Sequence, residues 1–130
     1  MAYSIFCIDF CQILIIIVPL GEILLKKKSS LLAKLENNRI SVFTEDLDYC
    51  YFFDKCHRKR ESYHEILYGS NRKNSMIYGF VLPLCIEHHR MFHDNHKLTR
   101  EWSKKCQEYW EKNYSTFDDW MDVFHRNYKD

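Results

Sequence analysis

The sequence predicts an α+β fold in which two short strands and a helix form a small central module, flanked by further α-helices. Residues 50–68 are rich in aromatic and β-branched side chains, and the charged residues 58–61 interrupt them as a turn between two strands would. The apolar run 81–84 leads towards residues 87–92, which could begin a helix. In the carboxyl-terminal third, apolar residues recur at spacings of three and four, which is typical of amphipathic helices. The predicted order is therefore strand, strand, helix, followed by a helical cover.

Four parts follow from these patterns: 1–25, 26–48, the module 49–96, and the cover 97–130. Residues 5–25 are mostly apolar, but Asp9, Gln12 and Glu22 break the run below the roughly 20 clean residues that a bilayer core requires. A membrane anchor, a core element and an extension that the folded domain does not need all remain open for this segment. Within 26–40, Leu31, Leu32 and Leu35 have helical spacing, which predicts a short amphipathic helix before a connecting stretch.

Two further segments carry local predictions. Gly69 and Gly79 punctuate the stretch around Asn71-Arg72-Lys73-Asn74, which predicts a loop. Ser115 followed by Asp118 resembles a cap that opens a helix. The apolar residues assigned to the two carboxyl-terminal helices are Trp102, Cys106, Tyr109, Trp110, Phe117, Trp120, Met121 and Phe124. An aromatic stripe at this spacing is usually core, so Cys106 is interpreted as a buried thiol.

The composition bounds the classes of partner and compartment. Lysine and arginine total 19 against 18 acids, so the net charge of +1 gives no global field that would attract nucleic acid or a membrane. Any such binding must depend on local patches. The chain has six cysteines and seven histidines, most of the latter between 57 and 96, and this mixture favours metal sites over disulfides. We therefore expect reducing, cytoplasmic surroundings.

The string from Cys85 to His93 contains the most informative spacing. Cys85 and His88 stand three apart, which is the spacing of a knuckle that offers two ligands to one tetrahedral ion. Cys50 and Cys56 are the upstream thiols that could complete the site, and Zn²⁺ suits three thiolates and one imidazole. Their separation is looser than in a usual knuckle, because Phe53 stands where a closer cysteine would be. A site made by Cys56 alone with Cys85 and His88 remains open.

A second site is predicted beside the first. His89 cannot easily point at the same ion as His88, because adjacent helical side chains diverge by about 100°. His93 shares a helical face with His89, and His64-Glu65 supplies an imidazole next to a carboxylate. A divalent ion between His64 and His89 could polarise a scissile phosphate while a neighbouring base takes a proton from water.

From about Lys26 to Asp130 the chain resembles the small HNH-type nucleases encoded by phages and prophages of Gram-positive bacteria. The strings that carry the resemblance are YHEILYGSNRKNSMIYGFVLPLC, the Cys85-x2-His88-His89 knuckle with His93, and the closing VFHRNYKD. The resemblance implies a ββα-metal, or His-Me finger, module at 49–96. It also implies a DNA endonuclease that hydrolyses phosphodiester bonds with Mg²⁺ or another divalent ion, while Zn²⁺ holds the fold.

Carried over by position, the resemblance assigns the structural zinc to Cys85, His88 and two upstream cysteines, and the catalytic ion to His64 and His89. The general base is the residue after His64, which is Glu65 here where the family more often has histidine. The middle asparagine of the family falls on Phe80, so Asn71 is a substitute candidate. The basic residues expected to contact phosphates on two loops flanking the site are Arg58, Lys59, Arg60, Arg72 and Lys73.

Two rival interpretations stay open. A non-catalytic DNA-binding or recombination accessory protein could keep the zinc scaffold without the chemistry, and Glu65 together with the missing asparagine favours it. A membrane-anchored protein would use residues 5–25. Isolated histidines are commonly satisfied by hydrogen bonds within a fold, so His57, His96 and His125 are expected to be structural.

Overall fold

A computed structural model describes residues 31–130. The predictions for residues 1–25 and for Lys26 to Lys28 therefore lie outside the described residues. The chain divides into two compact units, 1–37 and 38–130. Of the first unit, the described residues 31–37 are helical, as the spacing of their leucines predicts. Within residues 31–130, no helix combines the length and the apolar character needed to cross a bilayer.

The second unit is built from short helices around a two-stranded sheet, so the predicted α+β class is confirmed. Its elements in chain order are α1 (Phe53–Cys56), β1 (Ser62–Glu65), a 3-10 turn (Gly69–Asn71), α2 (Arg72–Ile77), β2 (Val81–Leu84), α3 (Ile86–Asp94), α4 (His96–Asn113) and α5 (Phe117–Phe124).

The two-stranded sheet positions the segment before α1 and the start of α3. β1 and β2 are antiparallel, with Ser62 opposite Leu84 and His64 opposite Leu82. All four residues of β2 are buried. Pro83 lacks an N–H, but its carbonyl accepts a 2.7 Å hydrogen bond from the amide of Tyr51, which ties the segment before α1 to the sheet. Because β2 runs directly into α3, the register of the sheet also fixes where that helix begins.

The prediction of two strands within 50–68 is wrong. This stretch contains one strand, β1, preceded by a turn and the short helix α1; the amide of Phe53 bonds to the Cys50 carbonyl at 2.9 Å. Tertiary packing overrides the local preference of aromatic residues for strands. Tyr51 and Phe52 meet the ring of Trp102 edge-on, with centroids 5.3 and 6.3 Å away, instead of extending along a sheet.

The predicted loop between Gly69 and Gly79 is also wrong, because the 3-10 turn and α2 occupy most of it. Ser75 holds α2 in place: its buried hydroxyl donates to the Phe80 carbonyl at 2.6 Å and accepts from the Leu67 amide at 3.2 Å. Gly79 does end the segment, with φ of +75°. A Cβ there would lie 3.0 Å from Cγ1 of Val42, so the glycine is required both for its conformation and for the close approach of the chain.

The carboxyl-terminal helices α4 and α5 confirm the helical cover. Their aromatic residues join the sheet in one core that includes Phe80, Trp102, Trp110, Trp120 and Phe124, and Cys106 is fully buried as expected. The predicted cap is off by one residue. Thr116 caps α5 by accepting from the Asp119 amide at 3.2 Å, whereas Ser115 donates its hydroxyl to the Asp119 carboxylate.

Candidate metal centres

Two backbone hydrogen bonds and the chain order of β2 and α3 assemble a first group of potential ligands. The Cys50 amide bonds to the Arg58 carbonyl at 3.0 Å, which closes the turn that carries α1. The Tyr51–Pro83 bond then places this turn beside β2, and Cys85 follows β2 at the N-cap of α3. His88 lies one turn into that helix. The fold therefore brings the 50–56 segment to the start of α3.

Cys50, Cys56, Cys85 and His88, which we call the cysteine group, each have one ligand atom within 4.8 Å of the others. Nδ1 of His88 lies 3.4 Å from Sγ of Cys50 and 3.2 Å from Sγ of Cys85. Tetrahedral zinc, with Zn–S near 2.3 Å and Zn–N near 2.0–2.1 Å, requires sulfur and nitrogen to be about 3.6 Å apart. The geometry and the donor set therefore both fit an ion such as Zn²⁺.

The spacing between the two upstream cysteines is explained by α1. This helix is one turn long, and its C-cap residue His57 has a left-handed conformation with φ of 52°. The helical turn brings the sulfur of Cys56 back to within 4.8 Å of the sulfur of Cys50. Five intervening residues therefore place the two cysteines as two intervening residues do in a usual knuckle. The arrangement uses all four residues, rather than Cys56 alone with Cys85 and His88.

The thiols in this group differ in their electrostatics. Burial raises the pKa of Cys50 to about 11. Burial also disfavours the thiolate of Cys85, but hydrogen bonds from the His88 backbone, the Cys50 and Cys56 side chains and the Glu87 backbone together outweigh it and lower the pKa of Cys85. Cys85 therefore ionises more readily than an ordinary thiol, whereas Cys50 needs a cation beside it to ionise near pH 7. The four described cysteines, these three and Cys106, are all free thiols, as a metal site requires.

His64, His89 and His93, which we call the histidine group, form a second cluster with one ring nitrogen of each within 4.8 Å of the others. His89 and His93 lie one turn apart on α3, with their Nε2 atoms 3.1 Å apart. The ring of His64 approaches from β1, with its centroid 5.2 Å from that of His89 and 5.8 Å from that of His93. All three predicted histidines therefore converge.

Strand alternation adds a partner for the histidine group. Ser62 and His64 are two apart on β1 and so share one face of the sheet. Oγ of Ser62 lies 2.7 Å from Nδ1 of His89. A hydrogen bond from Nδ1 to this hydroxyl would leave Nε2 of His89 unprotonated and able to bind an ion, which is how the outer partner of a metal-binding histidine commonly acts.

His64 has the least satisfied polar atom of the cluster. Its side chain is buried, and Nε2 lacks a hydrogen-bond partner within residues 31–130. Burial, with smaller contributions from His89 and His93, lowers the pKa of His64 to about 4. Burial also lowers the pKa of His89. The neutral form of His64 is therefore favoured near pH 7, as a metal ligand requires, and an ion would satisfy its orphaned nitrogen.

The donor set of the histidine group discriminates between the expected ions. Three imidazoles suit Zn²⁺, Ni²⁺, Fe²⁺ or Cu²⁺, whereas Mg²⁺ prefers carboxylate, carbonyl and water oxygens. Glu65 follows His64 but lies on the opposite face of β1, beside Tyr63. Mg²⁺ therefore fits this group poorly, and a transition ion fits it well.

Glu65 is held by two arginines. Its Oε1 forms an ion pair with Arg39, and Nη2 of Arg72 lies 3.4 Å from the same oxygen. Its charge still reaches the histidine group, because Glu65 raises the pKa of His89 against the larger effect of burial. The predicted base is thus close to the site but is oriented by guanidinium groups on its own face of the strand.

Asn71 and three of the five predicted basic residues, Arg58, Arg60 and Arg72, have structural contacts. Nδ2 of Asn71 donates to the Phe124 carbonyl at 3.0 Å, which ties the 3-10 turn to the end of α5.

Among the basic residues, Arg58 pairs with Glu87 at 2.9 Å, and Nε of Arg60 donates to the Leu47 carbonyl at 2.7 Å. Lys59 and Lys73 are exposed. Arg72 and Lys73 lie on α2 and not on a loop, so the prediction of two basic loops holds only for residues 58–60.

Two residues beside the site were missed from the sequence. Ser62 could have been found from its position two residues before His64, because alternation predicts a shared face. Arg39 gave no signal, since it lies 26 residues before Glu65 in a connecting stretch.

Comparison of the chain with family models, with curated proteins and with solved structures gave no match. The candidate function therefore depends on the geometry of the two groups.

Proposed function

We propose that the chain is a metal-dependent DNA endonuclease of HNH type, in which the cysteine group holds a structural Zn²⁺ and the histidine group holds a second divalent ion. The observation that carries the proposal is the convergence of three imidazoles, one with an orphaned buried nitrogen, directly beside a separate four-ligand group. A closed set of four protein ligands is typical of structural zinc, while three leave a position for water or substrate.

A divalent ion bound there would polarise a phosphodiester and stabilise the leaving oxygen. The chain's own residues supply the rest. Ser62 orients His89, and α3 fixes the separation of His89 and His93. Glu65 is the candidate proton acceptor for the attacking water, and Arg39 and Arg72 set the direction of its carboxylate.

Plasmid nicking tests the proposal. Zinc-loaded protein is incubated with supercoiled DNA and Mn²⁺, Ni²⁺ or Mg²⁺, alongside His89→Ala and His93→Ala. We expect nicking with a transition ion, weaker nicking with Mg²⁺, and a loss of about 100-fold or more in each variant, since even an outer partner of a ligand typically contributes 10- to 100-fold. Each variant should keep one equivalent of zinc. His57→Asn is the control, because His57 belongs to neither group and asparagine tolerates its left-handed conformation.

Glu65→Gln separates the base from the ion. If Glu65 accepts the proton, the variant should bind the second ion normally and nick about 100-fold more slowly or worse. An unchanged rate would assign proton transfer to another group. Absence of nicking by the wild-type protein with every ion, with zinc retained, would reject the endonuclease.

The second candidate is a non-catalytic DNA-binding or recombination accessory protein stabilised by zinc. The observation that favours it is the pairing of Glu65 with two guanidinium groups, because both ion pairs use Oε1 and direct the carboxylate towards the arginines. Salt-dependent DNA binding without nicking would be its signature.

A further inference from the structure

A cleft of about 570 Å³ lies between the 3-10 turn, α4 and the residues that follow α5. Its size is within the range of pockets that bind small ligands, about 300–1,000 Å³. No residue of the cysteine group or of the histidine group lines it. Besides α4, its walls come from residues 68–71 and 124–128, which belong to two of the strings that carry the family resemblance but are not themselves metal ligands.

The charge of the cleft has one sign. Arg100 and Arg126 line it together with the imidazoles of His96 and His125, and no aspartate or glutamate is among the lining residues of the described chain. The remaining polar walls include Ser70, which is exposed. Two guanidinium groups in a concave site with no carboxylate among its lining residues favour an anion, although Asp130 borders the site through Asn127, and the fork geometry of arginine suits phosphate in particular.

The wall that carries Arg126 is held in place although it is neither helix nor strand. Nε1 of Trp120 donates to the Arg126 carbonyl at 2.8 Å. The fully buried Gln107 donates to Oδ1 of Asn127 at 2.9 Å and accepts from the Tyr128 amide at 2.7 Å. This network fixes the carbonyl of Arg126 and the two residues that follow it, so little entropy is lost when the cleft receives a ligand.

The other guanidinium remains able to bind. Arg100 donates through Nη2 to the backbone oxygen of Asp130, but a guanidinium has five N–H donors. Tyr68 lines the cleft and is 66% exposed, whereas most aromatic residues of the described chain are packed in or against the core. An exposed aromatic ring in the same cleft as two arginines is a combination that can stack a base and hold its phosphate.

We propose that this cleft binds a nucleotide phosphate through Arg100 and Arg126, with the Tyr68 ring as the stacking surface for the attached base. The proposal rests on the proposed function only in taking nucleic acid as the expected source of the phosphate. It does not depend on hydrolysis.

The test uses the full-length, zinc-loaded protein without added divalent ions. Fluorescence anisotropy with a labelled single-stranded oligonucleotide and with its duplex gives affinity across salt concentrations, and calorimetry with adenosine 5′-monophosphate or inorganic phosphate tests free ligands. Arg100→Gln/Arg126→Gln is compared with Lys104→Gln/Lys112→Gln, which removes the same charge from exposed positions of α4 outside the cleft.

We expect the arginine variant to bind the oligonucleotide at least about 10-fold more weakly at low salt and to lose about two from the slope of log affinity against log salt. The lysine variant should stay within about 2-fold of wild type. Tyr68→Leu should lower the affinity about 5-fold or more at unchanged salt slope. Thermal melting and zinc content report whether each variant is folded.

The outcomes divide clearly. Arginine-dependent binding of the oligonucleotide alone identifies a strand phosphate, and binding of the monophosphate as well identifies a free nucleotide; both support the proposal. Equal losses in the arginine and lysine variants, or no phosphate ligand bound by wild type, overturn it. If the plasmid assay shows no nicking but binding depends on the arginines, the cleft proposal stands and the endonuclease is rejected. If the plasmid assay shows nicking but the arginine variant binds the oligonucleotide as wild type does, only the cleft proposal is rejected.

Discussion

The cysteine group and the histidine group share helix α3 but differ in donors, closure and exposure. The cysteine group has three sulfurs and one nitrogen from four residues, with Cys50 and Cys85 almost completely buried. The histidine group has three nitrogens, and His93 is exposed. The cysteine group offers four ligands and needs no further one for a tetrahedral ion. The histidine group offers three and is open to solvent at His93.

This difference separates two kinds of contribution. A closed site supplies folding free energy because its ligands come together only in the folded chain. An open site adds less to stability but leaves a coordination position for a reacting group. Substitutions in the first should therefore damage stability, and substitutions in the second should damage ion binding and activity while the fold survives.

The largest expected effect is on stability at Cys85. Cys85→Ser should release the zinc and lower the free energy of unfolding by about 5 kcal/mol or more, because the site and the junction of β2 with α3 depend on this ligand. Denaturant unfolding with metal analysis by mass spectrometry measures both. Cys106→Ala is the matched control: it alters a fully buried thiol outside both groups and should keep zinc. A Cys85 variant with full zinc content and wild-type stability would contradict the distinction.

A smaller effect is expected from pH at His64. The pKa of His64 is about 4 in the folded protein because of burial, below its ordinary value of 6.5. The unfolded chain therefore binds the extra proton between these values, so stability rises with pH through this window and falls as pH drops from 6.5 to 4. With no ion in the histidine group, we expect a loss of about 2–3 kcal/mol over that range.

Comparison with His64→Leu isolates this effect from acid loss of zinc, which both proteins share. The difference in unfolding free energy between them, followed by chemical denaturation from pH 7 to pH 4, should change with a midpoint inside the window. Parallel curves for the two proteins would show that His64 is not buried as a neutral imidazole.

The smallest expected effect sharpens the comparison at Ser62. Ser62→Ala removes the hydroxyl 2.7 Å from Nδ1 of His89 and should weaken Ni²⁺ binding to the zinc-loaded protein about 10-fold. Titration calorimetry measures this affinity. Ser70→Ala, a serine outside the histidine group, is the control and should bind Ni²⁺ as wild type does. Unchanged zinc content with weakened Ni²⁺ binding is expected; loss of both would mean that the two groups are coupled.

Much of the candidate site could be predicted from local spacing. The three-residue step from Cys85 to His88 and the four-residue step from His89 to His93 are properties of one helix, so the sequence indicates which pairs share a face. The helical cover was predictable for the same reason. The position of Ser62 beside the histidine group was also predictable, because the alternation of side chains along a strand is a local property.

The elements that the sequence misassigned are those in which packing opposes local preference. Tyr51 and Phe52 favour a strand by type but form a turn and contact Trp102, and residues 69–77 have turn formers but become helical because Ser75 is anchored on both sides. Strand and helix preferences differ by only about 1 kcal/mol, so a few buried contacts reverse them.

By itself the sequence determined the α+β class, the ligands available on α3 and the buried carboxyl-terminal stripe, because each depends on a short repeat along the chain. Only the tertiary structure decided that Cys50 joins Cys56, that His64 meets the α3 histidines, and that Glu65 is held by Arg39. These contacts join residues far apart in sequence, and their distances are fixed by strand register and core packing, which no local pattern encodes.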